Sequence, residues 1–83
     1  MSRLVRVKMF AVAKQVAGAD AVDLELPDAA TVSDLRRALL SKLPALDGMS
    51  NLLLFAVNDE YAGDQTPLPP GAEVACIPPG RGG

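Results

Sequence analysis

Few residues in this chain could do chemistry, and the most suggestive of them are the last two, Gly82-Gly83, with the carboxylate that Gly83 carries. Glycine makes up about 7% of residues on average, so a chance terminal Gly-Gly arises in roughly 0.5% of chains. A terminus without a role is common, and the pair alone would not outweigh that reading. Its setting does. It follows a strand-like run, Glu73 to Ile77, and a stop at Pro78-Pro79. Prolines cannot continue a hydrogen-bonded ladder, and they favour a stiff, extended exit. Pro78 to Gly83, extended at about 3.1 Å per residue, would reach roughly 20 Å from a domain. Glycines lack side chains, so such an end can thread a narrow channel into another protein's active site. A free carboxylate is ionised at neutral pH and resists nucleophiles. Adenylation would turn it into a mixed anhydride, which a sulfur donor could attack to leave a thiocarboxylate.

The other reactive side chains argue against catalysis by the chain itself. It has no histidine, so neither a Cys-His nor a Ser-His-Asp arrangement can be assembled. Its single cysteine, Cys76, precludes a disulfide framework and a cysteine zinc site, and no metal site is expected. Cys76 lies near the tail, which invites a nucleophilic reading. Strand parity instead places it with Val74 on the core side, where a free cysteine behaves as a small hydrophobe. No Gly-rich phosphate-cradling motif is present, so ATP is expected to bind a partner.

The formal net charge is −2, and no basic run is longer than Arg36-Arg37. A nucleic-acid binder would show a basic stripe, so no nucleic acid is expected. Arg6, Lys8 and Lys14 interrupt every apolar run near the N-terminus, leaving no signal-peptide core. Nothing approaches the roughly 18 apolar residues of a membrane span. The expectation is a cytoplasmic protein that does not engage a membrane.

The elements that must position the tail fit within one domain, given 83 residues. With Phe10, Phe55 and Tyr61 the only aromatics, the core must be built of Leu, Val and Ala. From Leu4 to Phe10 the pattern alternates, with Val5, Val7 and Met9 on one face and Arg6, Lys8 and Phe10 on the other, predicting a half-buried strand. Phe10 to Gly18 is Ala-rich and fits a short helical turn stopped by glycine. Val22 to Leu26 alternates again and ends at Pro27, with Asp23 and Glu25 facing Arg6 and Lys8 if the two strands pair. An ordinary solvated sheet face is the favoured reading of those four charges.

Thr31-Val32-Ser33-Asp34 reads as a helix start, with Thr31 as cap and Asp34 in the positive first turn. Val32, Leu35, Ala38, Leu39 and Leu43 share one face, Arg36, Arg37 and Lys42 point away, and Pro44 ends the helix. Asp47 to Asn51 reads as a loop. Leu52 to Val57 is an apolar run of strand length, either covered on both faces or with one face reserved for a partner. A turn at Pro69-Pro70-Gly71 precedes the last strand. One helix would then cross one face of a mixed sheet, with the first and last strands parallel at its centre. The expected class is α+β, in the β-grasp or ubiquitin-like arrangement of about five strands with one main helix. Residues 1–79 would form the domain and 80–83 a flexible Gly-Gly tail.

On that frame the chain resembles the small subunit of molybdopterin synthase, a sulfur-carrier family with the ubiquitin-like fold. The resemblance rests on Val7-Lys8-Met9-Phe10-Ala11, on Thr31-Val32 leading into Leu35-Arg36, and on Ala56-Val57-Asn58. Most specific is Gly71-Ala72-Glu73-Val74-Ala75 running into Pro78-Pro79-Gly80-Arg81-Gly82-Gly83. It implies that Gly83 is adenylated by a ubiquitin-activating-type enzyme using ATP, with no cofactor bound to the carrier itself. It implies further that a sulfur donor protein supplies the thiocarboxylate. The tail would then insert into the large synthase subunit, in a heterotetramer, and give sulfur to a cyclic pterin precursor. The sequence departs from the family at Cys76-Ile77, where bulky aromatics are frequent. Arg81-Gly82-Gly83 is also similar to the end of ubiquitin, which keeps a protein-modifier role open. Sulfur carriage for thiamin or for tRNA thiolation requires the same activated terminus, and an interaction domain without chemistry is the remaining alternative. In the carrier reading Gly82 and Gly83 are the reactive end. Phe10, Leu54, Tyr61, Ile77, Pro78, Pro79, Gly80 and Arg81 are the expected docking residues.

Overall fold

The computed structural model describes residues 1–79, and the expectations placed on Gly80, Arg81, Gly82 and Gly83 lie outside the described residues. Its elements are β1 (Ser2–Met9), α1 (Ala11–Ala17), β2 (Ala21–Pro27), α2 (Val32–Lys42), a 3-10 helix (Pro44–Leu52), β3 (Leu54–Val57), β4 (Glu60–Ala62) and β5 (Val74–Ile77). The five strands form one sheet in the order β2-β1-β5-β3-β4. β1 and β5 run parallel, with Val7 opposite Val74 and Met9 opposite Cys76, while every other pairing is antiparallel. This is the β-grasp order that the sequence led us to expect.

Alternation decides which face each strand buries. Val5, Val7 and Met9 of β1, Leu24 and Leu26 of β2, Phe55 and Val57 of β3, and Val74 and Cys76 of β5 all enter the core. Val32, Leu35 and Leu39 of α2 close over them, with Ala38 and Leu43 packed at the margin. The α2 N-terminus is held by a reciprocal capping box. The Thr31 N–H donates to Asp34 Oδ2 at 2.9 Å, and the Asp34 N–H donates to Thr31 Oγ1 at 3.4 Å. The next two orphan donors are also met, because the Val32 and Ser33 N–H groups reach the carbonyls of Thr66 and Asp64 at 3.0 and 2.9 Å. The loop before β5 is thereby fastened across the start of α2. Arg3 ties down the same loop from the other side, donating to the Leu68 and Pro69 carbonyls.

Two expectations are corrected. Asp47 to Asn51, expected as a loop, lies within a 3-10 helix kinked at Met49, with Pro44 at its start and Leu46 buried beneath it. Between the apolar run ending at Val57 and the turn at Pro69-Pro70-Gly71, where no strand is expected, lies β4, which is only three residues long and so carries no readable alternation. Asn58 and Asp59 turn the β3–β4 hairpin with φ of 51° and 71°, the left-handed pair that a two-residue hairpin favours. Asn58 also bonds Glu73 in both directions, through its N–H at 2.8 Å and its Oδ1 at 3.0 Å. The hairpin is thus locked to the chain entering β5. Gly71 completes the expected turn at φ 70°, where the Ala72 N–H reaches the Pro69 carbonyl at 3.1 Å.

Candidate functional site

The face of the sheet opposite α2 is open, and its composition changes from one side to the other. On β1 and β2 it is polar. Arg6 pairs with Asp23 at 3.2 Å, and Ser2 donates to Glu25 at 2.7 Å. Both charged side chains of the Arg6–Asp23 pair are well exposed, so the pair contributes little to stability. On β5, β3 and β4 the face turns apolar. The outward residues of β5 are Ala75 and Ile77, those of β3 are Leu54 and Ala56, and β4 adds Tyr61.

Register fixes how these residues meet. Ala75 lies opposite Ala56, and Ala56 opposite Tyr61; Ile77 lies opposite Leu54. Phe10 follows Met9, whose partner is Cys76, and its extended backbone (φ −127°, ψ 153°) carries the β1 alternation one residue further. Phe10 is therefore brought to the Ile77 end of the sheet. The result is a small-residue centre, Ala75 and Ala56, bounded by the larger Phe10, Ile77, Leu54 and Tyr61. Phe10, Leu54 and Tyr61 are 46%, 52% and 70% exposed. Large apolar side chains gathered on one exposed face make the kind of surface that partner proteins cover.

Of the expected docking residues, the structure brings together Phe10, Leu54 and Ile77, with Tyr61 across the small-residue centre. The two prolines separate: Pro78 is buried and Pro79 is exposed, so of the two only Pro79 stands at the surface. Leu52 was not singled out in the sequence, yet it is 58% exposed at the last position of the 3-10 helix, two residues before Leu54. The apolar run Leu52 to Val57 concealed it, because a run without polar residues shows no parity of its own. Leu4 is exposed too, but it lies in the polar half opposite Glu25.

Cys76 is fully buried, and burial pushes its thiol up to about 11. The thiolate, the reactive form, is then scarce at neutral pH. A thiol reagent at pH 8 should leave the native protein unlabelled and react only once denaturant is added. Rapid stoichiometric labelling of the folded protein would restore Cys76 as a candidate nucleophile.

A profile of the ThiS family matches residues 7–83. The chain belongs to the ThiS family. Among curated relatives, the "Molybdopterin synthase sulfur carrier subunit" of Chlamydomonas reinhardtii is 40% identical over 81 residues, spanning 95% of this chain and 98% of that one. The protein of the same name from Caenorhabditis briggsae is 38% identical over 81 residues, spanning 95% and 96%. The crystal structure of small archaeal modifier protein 1 (SAMP1) from Haloferax volcanii superposes with a TM-score of 0.82 at 30% identity, covering 98% of this chain and all of the other. The fold of this ThiS-family chain is accordingly the ubiquitin-like β-grasp. Among its described residues, no helix is long and apolar enough to cross a membrane.

Proposed function

We propose that this chain is the sulfur carrier of molybdopterin synthesis, and that its reagent is the Gly83 carboxylate. The observation that carries the reading is the apolar face at the end of β5, the strand that leads in sequence through Pro78-Pro79 to Gly82-Gly83. A partner gripping Phe10, Leu54 and Ile77 would hold the domain at the point from which the tail departs. The names borne by relatives at 40% and 38% identity support the same role.

In this reading a cytoplasmic ubiquitin-activating-type enzyme joins the Gly83 carboxylate to AMP from ATP, releasing pyrophosphate. A sulfur nucleophile delivered by a donor protein then displaces AMP and leaves the thiocarboxylate. The charged tail enters the large synthase subunit, within a heterotetramer, where its sulfur passes to the pterin precursor. The partners supply the acid-base groups in this reading, since the chain offers no histidine and buries its one thiol.

A second reading, a modifier joined through Gly83 to lysines of other proteins, draws support from the likeness to small archaeal modifier protein 1. Intact mass of the protein isolated from its native cell separates the two. A sulfur carrier shows the exchange of one terminal oxygen for sulfur, and that form disappears when the large synthase subunit and pterin precursor are added. Finding the chain only as covalent conjugates, with no thiocarboxylate form, would replace the proposal by the modifier reading.

A further inference from the structure

The side chain of Arg36 does not point away from the fold, as helical spacing alone suggests. It is 17% exposed and reaches back across three elements. Its Nη1 donates to the carbonyls of Ser50 and, at 2.9 Å, Leu53. Its Nη2 meets Asp64 Oδ1 at 2.8 Å, and the guanidinium carbon lies 5.0 Å from the centre of the Phe55 ring. One planar cation thereby joins α2, the end of the 3-10 helix, the start of β3 and the loop before β5. Leu52 lies between the two anchored carbonyls, and Leu54 follows directly after the second.

We infer that Arg36 is a positioning residue for docking: it holds Leu52 and Leu54 as a fixed apolar ridge without touching the partner itself. The inference rests on the sulfur-carrier reading, in which the open sheet face meets the large synthase subunit. Geometry carries it. The ridge leaves the 3-10 helix through Leu53, whose own side chain is buried. Between Met49, where that helix kinks, and β3, the Arg36 guanidinium adds hydrogen bonds from α2 to the backbone of a stretch that otherwise meets the core through the buried Leu53. A ridge held in its bound conformation loses less freedom on binding, and affinity rises accordingly. Lysine retains the positive charge but presents a point charge on a flexible stem, and it cannot span two carbonyls and a carboxylate at once.

The test is titration calorimetry of the full-length chain against the purified large subunit, well below the unfolding temperature of every variant. Four proteins are compared: wild type, Arg36→Lys, Leu52→Ala/Leu54→Ala, and the triple variant. Arg36→Lys is expected to bind about tenfold more weakly, with exchange of the Leu52, Leu53 and Leu54 amides accelerated in the free protein. In the double-alanine background the same substitution should change affinity less than about twofold, since residues acting as a unit are not additive. A merely structural Arg36 would lower the unfolding temperature and leave the affinity of the folded protein unchanged. If the double-alanine variant binds weakly while Arg36→Lys binds like wild type, or if the two effects simply add, the positioning role is overturned and the docking face stands. If the double-alanine variant itself binds like wild type, the ridge is no docking element and the positioning role falls with it, while the sulfur-carrier reading stands or falls on whether the wild-type chain binds the large subunit at all.

Discussion

Deleting Gly82 and Gly83 is expected to abolish sulfur donation while leaving thermal unfolding unchanged. Among the described residues, every member of the hydrophobic core lies between Val5 and Cys76, so nothing in that core is removed by the deletion. The chemistry is lost altogether. The truncated chain still ends in a carboxylate, but it stands two residues short of the reacting position and on Arg81, whose side chain a channel narrow enough to require glycines would exclude. Extending Gly83 by a single residue should have the same effect, although the glycines remain in place. That second variant separates the two demands on the tail, since it keeps both glycines and moves only the reacting carboxylate. The measurement is molybdopterin formation from precursor in an assay reconstituted with the activating enzyme, the sulfur donor and the large subunit. Circular dichroism melts serve as the control. Undiminished product from either variant would remove the terminus from the mechanism.

How far the sequence discloses this arrangement depends on the range over which each signal acts. The β1 alternation and the Thr31–Asp34 cap are written in neighbouring residues, and the structure places Val5, Val7, Met9 and the capping box as they require. Cys76 could be assigned to the core because Val74 and Cys76 share parity on a strand whose outward residues are Ala75 and Ile77. Arg36 defeated the same method. A helical wheel gives the direction in which a side chain leaves its own axis, and Arg36 does leave the apolar stripe. It cannot report that the chain 14 and 17 residues later returns to offer the carbonyls of Ser50 and Leu53. Long side chains with a charged tip can follow such an opportunity along apolar surface, and their final burial is set by tertiary structure. The 3-10 helix and β4 escaped for a different reason. Each is too short or too irregular to establish a period, and only Pro44, which ends α2, marks the region in the sequence. The exposed apolar surface was legible only in part: parity identified Phe10 and Ile77, but the exposure of Leu52 was hidden within an unbroken apolar run.

The two phenylalanines of this sheet should respond in opposite ways to alanine, and the contrast tests which face meets the partner. Phe55 is 1% exposed, sits inside the core and packs against Arg36. Phe55→Ala should cost about 3–5 kcal/mol of folding stability, the range for emptying a buried aromatic site. In a domain of this size that is a large share of the whole, and much of the chain could be unfolded at 37 °C. Phe10 is 46% exposed beside Ile77. Its removal leaves no sealed cavity, so the melting temperature should fall far less than for Phe55→Ala. Its cost is expected in association. Interface centres draw their energy from a few aromatic and aliphatic anchors, and here Phe10 is the one aromatic at the strand end from which Pro78-Pro79 leads to the tail. Phe10→Ala should therefore weaken binding to the large subunit by about 1–3 kcal/mol, a loss carried mainly by faster dissociation. Calorimetry of binding and thermal melts of the free variants measure the two quantities separately. Unchanged affinity for Phe10→Ala would move the interface off this face. A stability loss matching that of Phe55→Ala would show Phe10 to be part of the core.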